Sequence, residues 1–96
     1  MTETFEDFFS ELVAEAEAEG PAAVAELEAL RLHYALARQL IERRHEKHLT
    51  QKQLAELSGI DQAEISRIER GQANPTTATL SALTRALGVD VQLVPV

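Results

Sequence analysis

Between Leu49 and Pro75 the chain reads LTQKQLAELSGIDQAEISRIERGQANP, and its punctuation leaves little freedom in folding. Thr50 is a helix N-cap residue, and Gln53, three positions on, can reach back to it in a capping box. Leu54, Ala55 and Leu57 supply an inward face. Gly59 follows Ser58 where a left-handed terminal residue is needed. Asp61 is placed to cap the next helix, with Glu64 as its box partner. Ile65 and Ile68 lie three apart and should face a core. Gly71 ends that helix. Asn74 and Pro75 open another, which carries Leu80, Leu83 and Leu87 and is closed by Gly88. The spacing predicts two short helices across a tight glycine turn, followed by a third that packs on them.

That arrangement is the build of a helix-turn-helix. The Leu49-Thr50-Gln51 entry, Leu54-Ala55, Gly59, Ile65-Ser66 and Ile68-Glu69-Arg70-Gly71 with Pro75 carry a family likeness. On these residues the segment resembles the phage-repressor (Xre/Cro-type) helix-turn-helix family, over roughly residues 36 to 87. The resemblance implies an all-α fold, a phage-repressor-like bundle, whose second motif helix lies in the major groove of DNA. It places Gln62, Ala63 and Arg67 against base edges. Gln62 would pair with adenine, Arg67 with guanine, and Ala63 would offer a methyl contact to thymine. Ser66 would lie beside the backbone or a base. Thr50 and Gln51 would meet a phosphate at a helix N-terminus, where free N–H groups favour anions. Lys52, Arg70 and Asn74 are further phosphate candidates.

Two acids need separate treatment. Glu64 departs from the family pattern, which has a small hydroxyl residue there. A carboxylate near phosphates is unfavourable unless it is spent on the cap at Asp61. Glu69 reads either as a surface acid or as the partner of an arginine on the first core helix. The resemblance places Arg44 at the matching position and implies a partly buried Arg44–Glu69 pair that fixes helix geometry.

Composition bounds the remaining possibilities. The 96 residues suffice for one small domain with a modest core. Without cysteine, disulfides and thiolate metal sites are excluded. No apolar run approaches membrane-spanning length, and no basic, apolar signal region opens the chain. The expectation is a soluble cytoplasmic protein, and the family resemblance implies a bacterial or phage origin. The net charge of −7 is unusual for a protein that meets DNA, but it is unevenly spread. Residues 1 to 30 hold nine acids and no Lys or Arg, giving −9; residues 31 to 96 hold nine Lys and Arg against seven acids, giving +2. Physiological salt screens charges beyond ~8 Å, so the local field near phosphate decides. Few phosphate contacts and a shallow salt dependence are expected.

Residues 1 to 30 form an acidic extension that the helix-turn-helix does not need. Phe5, Phe8, Phe9, Leu12, Val13 and Ala16 recur at helical spacing, so residues 4 to 18 read as an amphipathic helix. Gly20-Pro21 breaks it, and a second helix follows from about Ala22 to Lys47. Leu27, Leu30, Tyr34, Ala37 and Ile41 line one of its faces; Leu32, Leu36 and Leu40 line another. The extension either covers the core or a dimer, or binds a basic protein through Phe5, Phe8, Phe9 and Leu12. At the other end, Val89, Val91 and Leu93 alternate in VDVQLVPV and predict a strand over residues 89 to 96. No second strand is evident, so it would pair with the same strand of another copy, making Val89, Val91 and Leu93 dimerisation residues. A frayed tail is the other reading. The organisation is therefore an extension (1–30), a reading domain (31–88) and a dimerisation strand (89–96).

A helix-turn-helix with added N-terminal helices and the ending Leu87-Gly88-Val89-Asp90-Val91-Gln92-Leu93-Val94-Pro95 resembles the HigA-type antitoxins of type II toxin–antitoxin pairs. The resemblance implies a homodimeric repressor of its own operon, bound to a palindromic operator in double-stranded DNA. Its N-terminal helices would neutralise a basic RelE/HigB-like ribonuclease toxin. A stand-alone phage-like repressor is the alternative, and an interaction module without DNA binding is a third. No P-loop or supported Ser–His–acid arrangement points to an enzyme, and no cofactor or small-molecule substrate is expected. His45 and His48, with His33, are the only metal candidates, and they read as a solvated face because a metal site needs further ligands at fixed geometry.

Overall fold

The computed structural model describes residues 4–96. Five helices follow in order: α1 (Phe5–Glu19), α2 (Pro21–Glu46), α3 (Gln51–Ser58), α4 (Gln62–Glu69) and α5 (Thr77–Leu87). The chain divides into two units, Met1–Tyr34 and Ala35–Val96.

In the first unit, Thr4 starts α1 with a reciprocal capping box. Its hydroxyl accepts from the Asp7 N–H at 3.1 Å, and the Asp7 carboxylate accepts from the Thr4 N–H at 3.3 Å. Phe9 and Ala16 are buried, whereas Phe5 and Phe8 are exposed. Phe5 stacks on Phe9 with ring centroids 6.0 Å apart. The Arg31 guanidinium covers the Phe9 ring at 5.1 Å and lies 3.6 Å from the Glu6 carboxylate. The face expected from Leu27, Leu30 and Tyr34 is only partly inward, since Leu30 and Tyr34 are exposed.

The second unit holds the core. Leu40 of α2, Leu54 of α3, Ile65 and Ile68 of α4, and Leu83 and Leu87 of α5 form one buried cluster. Each fully buried side chain of this size contributes roughly 1.5–3 kcal/mol. Leu36, Leu49, Ile60, Leu80 and Val89 pack around it. Ile65 and Ile68 turn inward as their spacing requires, which commits the opposite face of α4 to solvent. Leu57, expected inside, is 62% exposed. On a helix centred on Leu54 the inward face continues through Ala55 and Ser58, and Leu57 falls on the flank away from Ala55.

Helix ends are secured by backbone geometry. Gly59 adopts φ 75°, and its N–H reaches the Ala55 carbonyl at 2.9 Å. The end of α2 uses the same left-handed device without glycine. His48 has φ 56°, its N–H donates to His45 O at 3.0 Å, and the Leu49 N–H donates to Arg44 O at 3.2 Å. These are the two bonds of a Schellman motif. Helix α5 begins two residues later than Asn74-Pro75 implied: Thr76 is the N-cap, and its hydroxyl accepts from the Thr79 N–H at 3.1 Å. Proline lies before the cap, where it lacks only a donor that no helix bond requires.

Two expectations fail. Asp61 is the N-cap residue of α4, but its side chain makes no cap hydrogen bond. Its backbone (φ −57°, ψ 136°) is less extended than at Thr50 (ψ 164°) or Thr76 (ψ 165°), the two caps whose hydroxyls reach the N3 amide. The Asp61–Glu64 capping box is therefore not formed. Residues 89 to 96 form no strand, and there is none among the described residues. A strand needs a ladder partner, and the single chain supplies none. Val89 instead packs on its own core, with its N–H bonded to Thr84 O at 3.0 Å, so it is not a free dimerisation residue. Val91 and Leu93 are exposed, Leu93 at 98%.

Left-handed backbone costs a residue bearing Cβ more than it costs glycine. His48→Gly should stabilise the protein by roughly 0.5–1 kcal/mol. Gly59→Ala should destabilise it by about 1 kcal/mol, although a Cβ there would meet nothing within 4 Å. Chemical denaturation of the two variants checks the signs. An unchanged or lower midpoint for His48→Gly would mean that the imidazole holds contacts which offset the backbone strain.

Candidate nucleic-acid interface

The outward face of α4 follows from its inward one. With Ile65 and Ile68 in the core, Gln62, Ala63 and Arg67 are exposed and Ser66 is half-buried. These four share a shallow open depression with Gln51, Asp61 and Arg70. Helix α3 thus contributes one residue, Gln51, from its first turn. Among the expected contacts, Thr50, Lys52 and Asn74 are exposed but do not line the depression. The Thr50 hydroxyl accepts from the Gln53 N–H at 3.0 Å, and the Gln53 amide oxygen accepts from the Thr50 N–H at 2.8 Å. Thr50 is thus first a cap.

What fixes the pitch of α4 against α3 is a charged cluster behind this face. Arg44 near the end of α2 meets Glu69 at the end of α4 in a two-pronged pair. Nε donates to Oε2 at 2.7 Å and a terminal nitrogen donates to Oε1 at 2.9 Å. The other terminal nitrogen donates to the Leu49 carbonyl at 2.8 Å. The Gln51 side-chain amide donates to the same Glu69 oxygen at 2.9 Å. One guanidinium therefore ties together α2, the turn into α3 and the end of α4, while one carboxylate gathers Arg44 and Gln51. The side chains are only 11% and 6% exposed. Planar bidentate geometry defines both distance and orientation. The hydrogen bonds that Arg44 donates to Glu69 hold its pKa above the ordinary value, against the opposing effect of burial. A raised pKa on a cation gives stability that is complete below the ordinary arginine range and is lost only at more alkaline pH. The pair is thus pH-independent on its arginine side under any physiological condition.

Gln51 consequently faces two ways. One amide hydrogen is committed to Glu69, while its carbonyl oxygen and second hydrogen are left for the depression. Asp61 is the residue that sequence reasoning missed on this face. It was assigned to the cap, yet it is exposed beside Gln62 and lines the depression. Its position immediately before Gln62 was the available signal. Arg67 and Arg70 bring two positive charges to the depression and Asp61 one negative charge. Among the described residues no group of three acids, histidines or cysteines is placed to hold a metal ion. No helix among them is long and apolar enough to cross a membrane.

Removing one partner from a buried pair strands the other charge. Glu69→Gln should destabilise the fold by about 3 kcal/mol. The double replacement Arg44→Met with Glu69→Leu should recover most of that loss. Thermal unfolding of both variants decides the point. A single variant as stable as the parent would show that the pair does not hold the helices together.

A helix-turn-helix family model matches residues 40–94. An HTH-type transcriptional regulator of Haemophilus influenzae is 45% identical over 64 residues, which cover 67% of this chain and 65% of that protein. The HTH-type regulator y4dJ of Sinorhizobium fredii is 50% identical over 52 residues, 53% of this chain and 68% of that protein. The immunity repressor protein of Bacillus phage phi105 is 41% identical over 51 residues, 53% of this chain and 35% of that protein. The chain thus spans a third to two thirds of the length of these relatives. No solved structure matches it. On the extent of the family match, which covers more than half of its residues, the chain belongs to the helix-turn-helix family.

Proposed function

We propose that the chain is a DNA-binding transcription regulator, a repressor that reads duplex DNA with the outward face of α4. One observation carries this reading: Gln62, Ala63, Ser66 and Arg67 share a solvent-facing depression with Gln51 and Arg70, on the side of α4 turned away from Ile65 and Ile68. An amide and a guanidinium on one helix match the bidentate edges of adenine and guanine in the major groove. The names of the relatives, transcriptional regulators and a phage immunity repressor, support it. Lys52, Asn74 and the N-terminus of α3 are assigned to phosphates, at the margin of this face. The uncapped Asp61 and Glu64 work against affinity for any phosphate nearby, so binding relies on base contacts more than on bulk charge.

Two copies on a palindromic operator fit this reading, with half-sites roughly 34 Å apart. The surface assigned to the second copy is the exposed tail, with Val91 50%, Leu93 98% and Val94 77% exposed.

A finer reading makes the protein the antitoxin of a type II pair, neutralising a basic RelE/HigB-like toxin and repressing its own operon. The acidic α1 favours it, because Phe5 and Phe8 are 59% and 49% exposed on a helix whose only charges are negative. Phe9 is buried and Leu12 is half-buried, so neither presents a full side chain. A stand-alone repressor without a toxin is the competing reading.

Arg67→Ala should cost about 1–3 kcal/mol of discrimination at one base pair of each half-site. Binding to a panel of single-base operator variants measures this. An equal loss on every sequence would make Arg67 a phosphate contact. For the antitoxin reading, any small basic protein found to be encoded beside this gene is co-expressed with the full chain and with a chain lacking residues 1–20. The full chain should co-purify with it and block its ribonuclease activity. The shortened chain should lose both properties and keep its DNA affinity. Failure of the full chain would leave the stand-alone repressor, and retention by the shortened chain would move the partner surface elsewhere.

A further inference from the structure

The first unit carries a second surface that the exposed phenylalanines do not account for. Helix α1 and the opening turns of α2 line an open groove. Its apolar lining comes from Leu12, Ala16, Leu27 and Leu30. Its acidic lining comes from Glu15 and Glu19 of α1 and Glu26 of α2. No ion pair involves any of these three glutamates among the described residues. Arg31, the only Lys or Arg up to Tyr34, is engaged elsewhere, on Glu6 and the Phe9 ring. Glu15 and Glu19 stand four apart on one helix, a like-charge spacing that is unfavourable when nothing relieves it.

We propose that this groove is a docking site for a basic amphipathic helix of a partner protein. The proposal rests on the reading of residues 1–30 as a partner-binding segment, and it moves the centre of that surface from Phe5 and Phe8 to the groove. An apolar stripe on the incoming helix would cover Leu12, Leu27 and Leu30, the small Ala16 and Ala23 would permit close approach, and lysines or arginines flanking the stripe would meet the three glutamates. The charge selects among occupants. Nucleic acid and anionic membrane carry the sign of the groove and are repelled. The same segment of a second copy carries that sign too.

The test uses the full chain, labelled with 15N, and a synthetic 18-residue Leu/Lys amphipathic peptide. A control peptide carries Glu in place of every Lys. The Lys peptide should shift amide resonances between residues 12 and 30 and leave α4 unmoved. Binding should weaken as salt rises from about 0.05 to 0.3 M. The triple variant Glu15→Gln, Glu19→Gln, Glu26→Gln should bind about tenfold more weakly with unchanged helix content. Ala23→Arg, which places a cation and bulk in the groove, should compete with the peptide in the same way.

Shifts spread over every acidic surface, equal binding of the control peptide, or peptide affinity unaffected by both variants would overturn the proposal. So would self-association of the chain through residues 12–30. The broader reading fails separately. A chain that ignores the peptide yet captures a basic protein found encoded beside its gene, and loses it on removal of residues 1–20, would keep its partner surface and discard the groove.

Discussion

One guanidinium and one carboxylate hold the geometry on which the reading face depends. A helix of eight residues cannot be stable by itself, since nucleation costs more than so few backbone bonds return. Helix α4 is therefore shaped by its surroundings. Ile65 and Ile68 press it onto the core, which sets which way it faces. Apolar contact alone tolerates sliding and rotation, because it is non-directional. The Arg44–Glu69 fork, extended by the Leu49 carbonyl and the Gln51 amide, adds the directional constraint that greasy packing lacks. Such a pair contributes more to a single orientation than to net stability, because desolvation offsets much of its attraction.

The same cluster couples structure to the proposed chemistry. Gln51 touches Glu69 behind the reading face and borders the depression in front of it. Any shift of α4 relative to α2 would move Gln51 and Arg67 together. Charge is managed by separation. Glu69 is neutralised internally, Arg67 and Arg70 remain outward, and nine acids are held within residues 1 to 30. The sign of that segment is the one the proposed cationic partner requires.

Much of the second unit was legible in the sequence, and the reason is physical. Gly59 at φ 75°, Ile65 and Ile68 in the core, and the Thr50–Gln53 box are local requirements written in residue type. Arg44 and Glu69 came through family resemblance; no spacing rule joins residues 25 apart. The misses share a cause, which is that the deciding partner lies elsewhere in space. His48 takes a left-handed conformation because the core needs Leu49, and histidine gives no such warning. Leu57 is apolar like its inward neighbours, but the face of α3 that meets the core runs through Leu54, Ala55 and Ser58 and leaves it on the flank. Asp61 has the right type for a cap but the wrong backbone angle. Val91 and Leu93 alternate like a strand in a chain that offers no ladder. On the reading face, exposure of Gln62, Ala63 and Arg67 followed from the two isoleucines, whereas the part played by Asp61 needed the folded surface.

The central assignment, a duplex read by the outer face of α4, is tested most directly by two linked steps. A random duplex library is selected against the full chain at about 0.15 M salt, and the winning sequence is titrated into 15N-labelled protein. Enrichment of a palindrome, with resonance changes concentrated at Gln51, Gln62, Ala63, Ser66 and Arg67, is the expected result. No enrichment over random sequence, or changes centred on any other surface, would contradict it.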